Sequence, residues 1–131
     1  MVYKIVKKIL IGVLFLTATV SFAACSSDKI TSLRNGALVD FKANKYVLAE
    51  QKLARYYDNQ CGFYEMSQED DDVFNKGLWL ISDLMLYREK LGDQLGCLAL
   101  SNAVYSTWMV SDPARYAESV DLAIKMNSTK C

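Results

Sequence analysis

Four cysteines are the most reactive side chains in this sequence, and their spacing limits what they can do. Cys25, Cys61, Cys97 and Cys131 stand far apart, too far for a zinc knuckle or a thioredoxin-type motif. In an oxidising compartment, cysteines so placed are disulfide partners. Histidine is absent, which removes the usual general base near neutral pH and the commonest zinc ligand together. Glu69-Asp70-Asp71-Asp72 is a dense acidic run. It lacks the alternating acids, central glycine and terminal glutamate of a calcium loop. It fits the start of a helix, where free amides and the helix dipole favour carboxylates. No glycine-rich phosphate loop, nucleophile elbow or metal-ligand pair occurs. The residue pattern therefore points to a non-enzymatic protein, with no catalytic residue, metal or cofactor expected.

What the cysteines become depends on where the chain is sent. Lys4, Lys7 and Lys8 make a basic start, Ile9 to Leu16 is an unbroken apolar run, and Thr17 to Ala24 relaxes into mainly small residues ahead of Cys25-Ser26-Ser27. That order is a bacterial export signal over residues 1–24, followed by a single domain over residues 25–131. Ala23-Ala24-Cys25 resembles a lipoprotein signal, although Phe22 stands where that family prefers leucine. The resemblance implies a lipid on Cys25, and Ser26 after it implies outer-membrane sorting with the body facing the periplasm. Two other readings stay open. Ser21-Phe22-Ala23 satisfies the small-x-small rule for ordinary cleavage, which would release a soluble periplasmic or secreted protein. An uncleaved anchor is the third, though the apolar run is shorter than the roughly 20 residues that span a bilayer.

The elements that position these residues are helices. Ile30, Leu33, Ala37 and Phe41 form one helical stripe, and Tyr46, Ala49, Leu53 and Tyr56 a second, with Asn44 suited to the turn between them. Residues 58–72 read as an irregular stretch. From Val73 to Lys90 the chain is apolar on almost every side, as in a buried helix. Asp83 is the one charge between Leu78 and Tyr87 and is expected on a narrow strip facing solvent. Gln94 to Val110 carries no charge. Asp112-Pro113 starts a last helix, with Tyr116, Val120, Ala123 and Ile124 on one face. The expected fold is all-α, a small bundle of about five antiparallel helices.

Asn44 to Ala49 followed by Leu53 resembles the second half of a tetratricopeptide repeat, and Leu91-Gly92-Asp93 echoes its turn. The two places lie further apart than that family's period of about 34 residues. Up-down counting along the bundle sets Cys97 and Cys131 at similar axial distances from the turn at Asp112, so Cys97–Cys131 is the expected disulfide. Cys25–Cys61 becomes available only if Cys25 carries no lipid.

With its three leader lysines removed, the chain has three more acids than bases, and no basic stripe suits a nucleic acid. Two nearly all-apolar helices are more than so small a domain can bury centrally. The expected function is protein–protein interaction as an assembly or accessory factor of an envelope complex, with another protein or a second copy of this chain as partner. Trp79, Tyr87, Tyr105 and Trp108 are the candidate contacts, aromatics being enriched at interfaces. The alternative is a periplasmic inhibitor or immunity protein that inserts Phe63, Tyr64 and the neighbouring acids into an enzyme or toxin.

Overall fold

The computed structural model describes residues 24–110 and Cys131. Among them are five helices and no strand: α1 Ser27–Lys42, α2 Tyr46–Asn59, α3 Phe63–Ser67, α4 Asp71–Lys90 and α5 Gln94–Val110. The all-α bundle expected from periodicity is the observed fold. The helix expected after Pro113 and residues 1–23 of the expected export signal lie outside the described residues.

Several helix ends have a local cause. Ser26 caps α1, its side chain accepting from the Lys29 amide at 3.4 Å. Asn44 turns the chain out of α1 at φ 62°, a left-handed conformation that asparagine tolerates better than most residues. Asp70 caps α4 through the Val73 amide at 2.9 Å, and Asp71 and Asp72 occupy its first turn. The acidic run is thus a helix start. At the other end Arg88 and Lys90 complement the dipole. Gly92, at φ 75°, makes the tight turn into α5, and Asp93 accepts from the Gly96 amide at 3.0 Å.

Helix α3 corrects the irregular stretch expected over 58–72. Glu65 reaches back to the Gly62 amide at 3.1 Å, while Phe63 and Met66, one turn apart, both bury. Five residues are too few to show a period in sequence. The turn is held by packing: a Cβ placed on Gly77 of α4 would fall on the Met66 side chain. Phe63 meets Phe74 edge-on, ring centroids 6.0 Å apart.

Helix α4 is the axis of the fold and packs against all four others. Nine of its residues are buried, from Val73 to Tyr87, and each large apolar side chain among them contributes about 1.5–3 kcal/mol. Helices α1 and α4 run parallel, because contacts climb together: Ser27 with Asp72, Arg34 with Asp83, Phe41 with Tyr87. Helices α2 and α5 return antiparallel to them. Arg88 fastens this end, donating to Glu50 of α2 at 3.4 Å and to the Gly96 carbonyl of α5 at 3.1 Å.

Two cysteine pairs stand at disulfide distance, one toward each end of the bundle. Cys25 joins Cys61 ahead of α1, with a Cα–Cα distance of 5.1 Å. Cys97 joins Cys131 in the first turn of α5, at 5.7 Å. Both fall within the usual disulfide range. Cys25 and Cys61 are buried, and the Ser26 amide beside them donates to the Tyr56 hydroxyl at 3.0 Å. The N-terminal end of α1 is thereby stapled to the C-terminal end of α2.

Candidate functional site

Burial separates the six aromatic candidates. Phe63 and Tyr87 are core residues, at 5% and 2% exposure, and not surface contacts. The reason is geometric: Phe63 closes α3 onto α4, and Tyr87 stacks on Phe41 of α1 with ring centroids 5.0 Å apart. Tyr105 is half-buried on α5. The Trp108 side chain lies outside the described residues. Tyr64 is exposed at 71% on the outer side of α3, and Trp79 at 43% on α4.

Trp79 belongs to a coherent face. The open strip of α4 is narrow and carries Asn75, Trp79 and Leu86 among its exposed residues. The Arg34 guanidinium of α1 lies over the Trp79 ring, 5.7 Å from its centroid, a cation–π arrangement. The same guanidinium binds Asp83 at 2.7 Å. The parallel register then sets Leu38, one turn beyond Arg34, on the side of α1 that faces this strip. Leu38 and Leu86 are both exposed. The result is an indole and two leucines around a held Arg–Asp pair, on two helices packed against each other.

Asp83 departs from its expected place. It sits half-buried at the edge of the strip, its side chain about one-quarter exposed. Burial raises its carboxyl above the ordinary range, and the Arg34 hydrogen bond and charge oppose that rise. An acid can stand here because its partner arrives from another helix. The Tyr87 phenol beneath is pushed up to about 12, first by burial and then by the charge of Asp83.

The far end of the bundle, at the start of α5, holds a smaller recess. A recess of about 260 Å³ at the α4–α5 turn is lined by Glu89, Gly92, Gln94 and the Cys97–Cys131 pair. Among the described residues no three His, Cys, Asp or Glu side chains converge as metal ligands. None of the described helices is long and apolar enough to cross a membrane. Helix α5 buries Cys97, Leu100 and Val104 and leaves Leu95 and Leu98 exposed.

Fold and surface together define a small all-helical bundle, clamped by two cysteine pairs and presenting a tryptophan-centred face. No family model, curated protein or solved structure matches the chain.

Proposed function

We propose that this protein is exported from a bacterial cytoplasm and acts as a protein-binding module of the cell envelope, engaging its partner through the α1–α4 face centred on Trp79. The observation that carries this reading is the exposed indole, fixed by the Arg34 guanidinium and flanked by Leu38 and Leu86. Tryptophan and arginine are the residues most enriched among interface hot spots, and each costs about 2 kcal/mol or more when truncated there. A rigid backbone beneath them lowers the ordering cost of binding.

The fate of Cys25 bears on how the module is delivered. One sulfur cannot both carry a lipid and close a disulfide, and Cys25 is buried against Cys61. That pairing favours ordinary signal cleavage after Ala23 and a soluble periplasmic body over an outer-membrane lipoprotein. Intact-mass measurement of the protein recovered from cells decides the matter. A chain starting at Ala24 that takes up four hydrogens on reduction supports soluble export; a lipid-sized mass increment on Cys25 refutes it.

An inhibitor or immunity role keeps one supporting observation, the exposed Tyr64 on α3. Its other aromatic, Phe63, is committed to the core. Affinity capture from solubilised envelopes separates the two. Trp79→Ala should lose the partner that wild type retains, whereas Tyr64→Ala should keep it. The reverse pattern would transfer the function to α3.

A further inference from the structure

A second surface, on the opposite side of α1 from Asp83, has a different chemistry. Helices α1 and α2 form a shallow groove of about 420 Å³ lined by Lys29, Leu33, Lys52, Arg55, Tyr56, Asn59 and Gln60. Three of these are cations and none is an acid. Lys52 pairs with Asp40 at the groove's inner end. Among the described residues the Lys29 and Arg55 side chains make no ion pair. Between the charges lies an apolar floor of Leu33 and the buried Tyr56 ring, whose hydroxyl is held by the Ser26 amide. The Cys25–Cys61 pair closes the end of the hairpin, so the two walls cannot splay.

We infer that this groove binds a short acidic peptide segment of a partner protein, with carboxylates on Lys29 and Arg55 and an apolar side chain on Leu33 and Tyr56. The charge complementarity is local: the body as a whole is mildly acidic, yet this strip of it is positive. From Lys52 to Asn59 the α2 wall rises roughly 10 Å, the length of about three extended residues. Carboxylates two residues apart in such a segment lie on one side, about 6.6 Å from each other, and can meet two cations of the groove together. The exposed amides of Asn59 and Gln60 can serve the backbone of the segment. A nucleic acid would need a longer run of cations than three. This surface is independent of Trp79, and either can fail without the other.

The test is fluorescence anisotropy with the oxidised full chain and a rhodamine-labelled hexapeptide, Glu-Leu-Glu-Glu-Phe-Glu. Saturable binding at about 50 mM salt should weaken at least about tenfold at about 300 mM. Lys29→Glu with Arg55→Glu should weaken it by a similar factor of about ten or more, and the milder Lys29→Gln with Arg55→Gln by less. Trp79→Ala should leave it unchanged. Leucine and phenylalanine in the peptide should matter, so an all-glutamate hexapeptide should bind more weakly. Absence of binding, equal binding by the charge-reversed chain, or equal binding of the all-glutamate peptide would each overturn the inference. So would binding to phosphatidylglycerol vesicles without binding to the peptide, which would make the groove a lipid-headgroup surface.

Discussion

Removing the Cys25–Cys61 bridge should cost this bundle a large share of its stability. The bridge spans 36 residues. Loop closure of that length removes about 13 cal/mol/K from the unfolded chain, or about 4 kcal/mol at room temperature. A small domain holds only about 5–15 kcal/mol in total. The perturbation is the double variant Cys25→Ala/Cys61→Ala, which takes away both sulfurs and leaves no buried polar group behind. Urea unfolding followed by helical circular dichroism measures it against the oxidised wild type. With a slope near 2 kcal/mol per molar urea, the midpoint should fall by about 2 M. The slope itself should rise, because an unbridged chain unfolds to a more open ensemble. A midpoint within about 0.3 M of wild type would refute the reasoning. It would mean that the packing of Tyr56, Leu53 and Ile30 holds the hairpin without the staple.

Further expectations concern the Arg34–Asp83 pair and the aromatics around it. Arg34→Ala should cost about 1–2 kcal/mol near neutral pH, since it strands a half-buried carboxylate. Because Asp83 sits above its ordinary range, the folded state takes up a proton before the unfolded state does on acidification. The charged form is the one the fold disfavours, so the Arg34→Ala deficit should shrink as pH falls toward the unfolded carboxylate range. A deficit that grows in acid, read from thermal midpoints across pH, would contradict this. Tyr87 should ionise at about 12, and the absorbance step there should vanish in Tyr87→Phe. As its pKa is raised in the fold, its contribution is complete below about 10 and fades between about 10 and 12. Phe63→Ala should destabilise by about 3–5 kcal/mol, whereas Tyr64→Ala should leave the unfolding midpoint unchanged; equal effects would place both rings alike.

Much of the fold is legible in the residues. The stripes of α1 and α2, the left-handed Asn44, the acidic start of α4 and the limits of α5 follow from periodicity and end chemistry, both of which are local. What is not local stays hidden. Helix α3 exists because Phe63 and Met66 find Phe74 and Gly77, which no five-residue pattern announces. The site is harder still, because α4 is apolar nearly all round. Sequence cannot say that Trp79 looks outward while Tyr87, eight residues on, lies under Phe41. Nor can it bring Arg34 to Asp83 across 49 positions. The basic groove escapes for the same reason: Lys29 and Arg55 come together only when the hairpin closes.

Site-specific photocrosslinking in living cells tests the central claim most directly. A benzoylphenylalanine placed at position 86, beside Trp79 on the open strip of α4, should give one discrete adduct with an envelope protein. That adduct should disappear when Trp79→Ala is added, while the helical spectrum of the purified variant is unchanged. An adduct that survives Trp79→Ala, or one formed from position 64 and not from position 86, would contradict the account.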